Sequence, residues 1–213
     1  MAAGDVTPLT DLERDALSEL SNVAMARAAT SLGQMIQVEV LLSVPTVDIL
    51  TPDAAIEIIS KPGNPNLVAI RQDFSGVFSG RALLIFPEAN SLELVRVVVG
   101  RQLPLEDIVD LEDEALAETG NIILNSWVAV LANLLKQSLK MSLPIVIRRD
   151  QNHIFDSVSP RESLILFLHI KFDISKKEIH GYVALMMDIP SIEALRSLID
   201  EYVNSVARGA AGP

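Results

Sequence analysis

The chain alternates long stretches of helical periodicity with short β-branched runs. Leu12, Ala16, Leu20 and Val23 recur at helical spacing behind Thr10, which precedes Glu13 by three residues in the capping-box pattern. The spacing predicts a first helix from near Thr10, with Gly33 as its stop. "VEVLLSV" (Val38 to Val44) predicts a strand, and "KPGNPN" (Lys61 to Asn66) a loop. "LVAIRQDF" and "GRALLIF" predict an antiparallel pair around "SGVFSG". Pro87 is expected to open a helix that ends at Gly100. Arg101 to Asp107 reads as a connector, followed by a second long helix from about Asp107 to Leu139. "LPIVIRRD" is a strand candidate, and "SPRES" (Ser159 to Ser163) a turn. "LILFLHIKFDI" and "IHGYVALMMDI" form a second expected pair. Pro190 opens a last helix, and residues 207–213 are expected to form a disordered tail.

Helix, strand, strand pair and helix therefore occur twice in the same order. Asp73-Phe74-Ser75 precedes Gly80 as Asp173-Ile174-Ser175 precedes Gly181, and Asp73 and Asp173 lie 100 residues apart. Two copies of this length predict a duplicated half-domain rather than a solenoid. The expected fold is α+β: a mainly antiparallel sheet covered by helices, in one domain over residues 1–206 built from repeats at about 10–100 and 107–205.

The helices carry the candidate chemistry. "ELSNVAMA" (Glu19 to Ala26) and "ETGNIILN" (Glu118 to Asn125) both read Glu-x-x-Asn, and Asn22 and Asn121 lie 99 residues apart. Asparagine is a mediocre helix former, because its side chain competes for backbone hydrogen bonds. With about 100° per residue, Asp15, Glu19 and Asn22 project to one side, with Ser18, Ala26 and Ala29 beside them. Leu12, Ala16, Leu20 and Val23 are expected on the apolar side. In the second helix Glu114, Glu118, Asn121 and Asn125 share a face in the same register, with Leu111, Ala115 and Ile122 on another. Each motif alone describes an ordinary solvated helix face. Recurrence in register points to paired polar interaction faces.

Composition narrows the choices. The 213 residues are 49% hydrophobic but only 4% aromatic, so the core is aliphatic. A net charge of -11 argues against a nucleic-acid or anionic-membrane surface, since both need clustered Lys and Arg. Cysteine is absent, which excludes disulfides and thiolate metal sites and suits a reducing cytoplasm. The first fifteen residues contain no apolar run or cationic leader, and no run of about 20 apolar residues is expected to span a membrane. His153, His169 and His180 lack metal-ligand spacing, and His169 reads as a packed strand residue. The acidic run Glu106, Asp107, Asp110, Glu112, Asp113 and Glu114 suits a helix N-terminus. No phosphate-loop, G-x-S-x-G or H-E-x-x-H pattern occurs.

Asp15-x-x-x-Glu19-x-x-Asn22 and Glu114-x-x-x-Glu118-x-x-Asn121 resemble the signature of the CheC/CheX/FliY phosphatases of chemotaxis, closest to the two-site CheC branch. The departure is Glu114, where that family carries Ser or Asp. The resemblance implies hydrolysis of phospho-aspartate on a CheY-type response regulator. The regulator would supply the Asp and Mg²⁺, so this chain needs no cofactor or metal of its own. Asn22 and Asn121 would orient the attacking water, as a neutral carboxamide both donates and accepts hydrogen bonds. Glu19 and Glu118 would anchor a lysine of the regulator, and Asp15, Glu114, Ala26 and Asn125 would be partner contacts. CheD is a further partner implied by the resemblance. The alternative is a non-catalytic adaptor of the same fold that binds a response regulator, CheD or a flagellar switch component.

Overall fold

The computed structural model describes residues 8–60, 66–99, 111–156, 163–174 and 177–210. The first helix, α1, spans Asp11–Ile36. Its capping box is closed: the Glu13 N–H donates to Thr10 Oγ1 at 3.2 Å, and the Thr10 N–H donates to Glu13 Oε2 at 2.7 Å. Gly33 does not end the helix, as the spacing had suggested. A Cβ there would stand 3.1 Å from the Val38 carbonyl, so this glycine lets the returning chain pass closely. The helix ends at Gln37, which takes a left-handed conformation at φ 57°.

The following elements are β1 (Val40–Leu50), α2 (Pro52–Ile59), β2 (Asn66–Ser75), β3 (Gly80–Pro87) and α3 (Glu88–Val99). The second half contains α4 (Glu112–Leu134), β4 (Lys140–Met141), β5 (Ile145–Asp150), a 3-10 turn (Gln151–His153), β6 (Ser163–Ile174), β7 (Lys177–Asp188) and α5 (Ile189–Ala210). The sequence reading missed α2 and β4, although Thr51 before Pro52 is a legible helix start. Residues 207–210, expected in a disordered tail, continue α5. The expected Gly100 stop, the connector at 101–107 and most of the "SPRES" turn lie outside the described residues.

The seven strands form one sheet in the order β1-β6-β7-β3-β2-β4, with β5 also on β2, and every pairing is antiparallel. The halves interlock. The first half's leading strand, β1, pairs with β6, and the second half's β4 and β5 pair with β2. Each half thus completes its edge on the other's hairpin, which gives the sheet a pseudo-two-fold about the β3–β7 seam.

The register corrects the repeat. Leu42 and Thr46 pair with Phe172 and His169, while Met141 and Ile145 pair with Phe74 and Arg71. Leu42 and Thr46 lie 99 residues before Met141 and Ile145; their partners Phe172 and His169 lie 98 residues after Phe74 and Arg71. The residue equivalent to Asp73 is therefore Lys171, and the Asp73–Asp173 match is incidental.

One face of the sheet carries the main core. Val68, Ile70, Phe74, Leu84, Phe86, Leu166, Leu168, Ile170 and Phe172 meet apolar residues of α1, α3, α4 and α5. A smaller core lies on the opposite face, where Ala55 and Ile59 of α2 and Ile154 and Phe155 cover Leu67, Ala69, Ile85 and Phe167. By length and composition α4 is apolar enough to cross a membrane, contrary to the expectation for this stretch. Here its apolar side, including Leu116, Ile123, Leu124, Trp127 and Leu131, is buried in the main core. Trp127 Nε1 donates to Ser21 Oγ at 3.1 Å, joining α4 to α1 by a buried hydrogen bond.

Candidate functional site

The outward stripe of α1 is Asp15, Glu19, Asn22 and Ala26, all exposed. These positions are spaced i, i+4, i+7 and i+11, which keeps them in one row. The inward stripe is Leu17, Leu20, Ala24, Met25, Ala28 and Leu32. The expected apolar side was misplaced. Leu12 and Val23 are 61% and 37% exposed and flank the acidic row. Seven residues turn by about 700°, so Leu12 stands only about 20° from Glu19. Ala29, expected on the open face, is buried.

α1 runs antiparallel to β1, and Asn22 faces the point where β1 leaves the ladder. Between Ser43 and Thr46 the pairing with β6 slips by one residue. Val44 and Pro45 form this bulge, and proline supplies no N–H for a ladder. The Val44 N–H donates instead to Asn22 Oδ1, at 3.0 Å. A backbone N–H cannot act as an acceptor, so the carboxamide is oriented with Oδ1 inward. Asn22 Nδ2 has no partner among the described residues and faces the exposed side. An open groove of ≈ 500 Å³ continues from this point between α1 and β1, lined by Ala26, Thr30, Gly33, Val40 and Leu42.

On α4, Glu114 and Glu118 are exposed while Asn121 and Asn125 are half-buried. Leu111, expected on a different face from the Glu and Asn row, is 38% exposed. Arg148 of β5 holds the first turn of α4 through Asp113 at 2.7 Å and Glu112 at 3.2 Å. The Asp113 carboxylate hydrogen bond raises the Arg148 pKa further, outweighing its partial burial. α4 approaches the sheet closely at Gly120, where a Cβ would stand 2.4 Å from Ile70 Cγ2. Asn121 Oδ1 accepts from Gln72 Nε2 at 3.2 Å and from Asn125 Nδ2 at 2.6 Å. Asn125, read as a partner contact, thus also binds Asn121 within the site.

A second bulge stands here too. From Met141 to Ile145 the chain advances four residues while its partner strand moves three, from Phe74 to Arg71. Ser43-Val44-Pro45 and Ser142-Leu143-Pro144 lie 99 residues apart, the same offset as the two asparagines. "SVPTV" and "SLPIV" are the signal that sequence reasoning missed. The bulges differ in detail: Val44 is 4% exposed, whereas Leu143 is 85% exposed. The two asparagines flank opposite ends of the sheet. Five strand-to-strand steps of about 4.8 Å put them roughly 24 Å apart along it.

Other candidates resolve differently. The sheet brings His169 and His180 together, with His180 Nδ1 3.3 Å from His169 Nε2; the sequence had left them apart. Among the described residues no group of three or more His, Asp or Glu is arranged to hold a metal ion.

No family profile matches the chain. It is 27% identical over 139 residues to the CheY-P phosphatase CheC of Bacillus subtilis, an alignment covering 63% of this chain and 65% of that protein. It is 22% identical over 144 residues to the flagellar motor switch phosphatase FliY of the same organism, covering 67% of this chain and 37% of that one. The matched region therefore spans less than two thirds of either relative. Among solved structures, Thermotoga maritima FliY superposes with a TM-score of 0.72 at 16% identity, covering 91% of this chain and 98% of that one. FliM from its complex with SpeE of H. pylori superposes with a TM-score of 0.65 at 11% identity, covering 91% and 97%.

Proposed function

We propose, with this chain's place in the CheC/CheX/FliY family as the premise, that it hydrolyses the phospho-aspartate of a CheY-type response regulator at two sites. The observation that carries the reading is the shared geometry at Asn22 and Asn121. Each Oδ1 is held from the protein side, at 3.0 Å by Val44 N–H and at 3.2 Å by Gln72 Nε2. Each Nδ2 is thereby left to donate outward, one helical turn from an exposed Glu.

Such a donor suits hydrolysis of an acyl phosphate. Attack on phosphorus requires a water whose lone pair lies in line with the departing aspartyl oxygen. The amide N–H takes one lone pair of the water and leaves the other for attack. Because the amide is fixed before the regulator arrives, little orientational freedom is lost at the reaction. The phosphoryl group leaves with the water oxygen as inorganic phosphate, and the aspartate carboxylate is regenerated. Mg²⁺ and the phosphorylated Asp would come with the regulator. Glu19 and Glu118, one turn before each Asn, would bind a cationic group of the regulator, and the exposed Leu12 and Val23 would add apolar contact beside Glu19. Asp15 and Ala26 would border the contact at the first site, and Glu114 that at the second.

The test is phosphate release from a phosphorylated CheY-type regulator. Wild type should accelerate release, and the Asn22→Ala, Asn121→Ala double variant should keep only a small residual acceleration. Undiminished release by the double variant would refute the reading. A second reading is favoured by the shared fold of FliM: a non-catalytic adaptor that binds a response regulator or a flagellar switch component. Binding of the phosphorylated regulator without faster decay would support it.

A further inference from the structure

We infer that Gln72 is a positioning residue of the second site, orienting Asn121 as the Val44 backbone orients Asn22. The catalytic consequence rests on the proposed phosphatase reading; the positioning itself does not.

Gln72 lies on β2 with its side chain in the main core, and it is 1% exposed. The sheet register makes Ile170 its counterpart in the other half, since equivalent positions of β2 and β6 differ by 98 residues. Ile170 is 0% exposed. Packing at this position is therefore satisfied by an aliphatic side chain, and a buried amide needs another reason. One end of that amide is costly: Gln72 Oε1 has no hydrogen-bond partner among the described residues. The other end is fully used. Nε2 donates to the Ser142 carbonyl at 2.8 Å and to Asn121 Oδ1 at 3.2 Å.

The direction of this chain of amides is forced. Ser142 presents a carbonyl, which only accepts. Gln72 must therefore turn its NH₂ toward it, and the same NH₂ meets Asn121. Turning Gln72 over would bring Oε1 against two acceptors. Asn121 must then present Oδ1 inward, which also receives Asn125 Nδ2 at 2.6 Å. Nδ2 of Asn121 is left outward, the orientation reached at Asn22 by a backbone donor.

The two halves need different donors because their bulges differ. In the first half the tucked Val44 supplies its N–H. In the second, Ser142 closes on Asp73: its N–H donates to the Asp73 carbonyl at 2.9 Å, and its Oγ accepts the Asp73 N–H at 2.9 Å. Leu143 turns outward, and Gln72 fills the missing donor position. The polar residue stands in the half where the backbone does not present one to the asparagine.

The test uses the full chain with Asn22→Ala, so that only the second site turns over. Gln72→Met keeps the volume and removes the donor. Turnover at saturating phosphorylated regulator should fall about tenfold, while the regulator concentration at half-maximal rate stays unchanged, because Glu118 still binds. In a chain carrying Asn121→Ala with Asn22 intact, where the first site does the turnover, Gln72→Met should cost nothing. A parallel readout needs no activity: the Asn121 side-chain amide ¹⁵N order parameter should drop in Gln72→Met while that of Asn22 holds. An unchanged Asn121 amide, or an equal loss of turnover at the first site (Asn121→Ala background) and the second (Asn22→Ala background), would overturn the inference. If the Asn121 amide loosens but neither the wild type nor the Asn22→Ala protein accelerates phosphate release, the positioning stands and the phosphatase reading falls.

Discussion

Replacing Asn22 by aspartate separates the two tasks of its carboxamide. The carboxylate retains an acceptor for the Val44 N–H, now 3.0 Å from Oδ1, so the bulge keeps its hydrogen bond. The outward group changes from a donor to an anionic oxygen facing the incoming phosphoryl group. Two unit charges about 4 Å apart at an effective dielectric constant of about 20 repel by about 4 kcal/mol. At about 1.4 kcal/mol per decade this corresponds to roughly a thousandfold loss of turnover at the first site. Asn22→Ala loses the donor without adding repulsion, but it strips the Val44 N–H of its partner. That variant should lose activity less steeply and lose about 1 kcal/mol of stability. The assay is single-turnover phosphate release in an Asn121→Ala background, alongside urea denaturation of each variant. Turnover by the aspartate variant equal to or above that of the alanine variant would refute the argument. So would an aspartate variant as destabilised as the alanine one.

Further outcomes follow from the packing. Gly120→Ala places a methyl group 2.4 Å from Ile70 Cγ2; it should destabilise the fold by about 1–3 kcal/mol and slow the second site more than the first, as read by denaturation and by turnover with each Asn mutated. Ser21→Ala leaves the buried Trp127 N–H unpaired, which should cost about 1–3 kcal/mol in urea denaturation. Glu13 is buried at the start of α1. Burial raises its pKa, but Arg196 at 2.7 Å and the Thr10 hydrogen bonds outweigh this and hold it below the ordinary 4.5. A depressed carboxyl stabilises the fold above its unfolded-state value and loses that contribution as pH falls through its folded-state value. Stability should therefore decline below about pH 4.5, and Glu13→Gln should flatten that decline in denaturation curves taken across the range. Leu12→Ser, at a position 61% exposed, should leave stability within about 0.5 kcal/mol while weakening regulator binding at the first site by calorimetry.

Local patterns determined much about this protein before any contact was known. The capping box at Thr10 and Glu13, the two hairpins and the row of Asp15, Glu19 and Asn22 all depend on near neighbours and on helical periodicity. Residue spacing alone sufficed for them. The inward stripe of α1 was less legible. Leu12 and Val23 are apolar, yet they lie on the outward side because hydrophobicity does not state which side the sheet occupies. The repeat was legible in the offset of 99 residues between the asparagines, and "SVPTV" with "SLPIV" carried the same offset unnoticed.

What only the tertiary structure decided is long-range. The swapped pairing of β1 with β6 and of β4 and β5 with β2 joins residues 70 positions apart at Ser142 and Gln72. Nothing local to "IRQDF" marks Gln72 as the neighbour of Asn121, since their contact depends on how closely α4 approaches the sheet at Gly120. Sequence supplied two asparagines with a common spacing. Their amide directions came from donors brought in by the fold, a backbone N–H in one half and a buried side chain in the other.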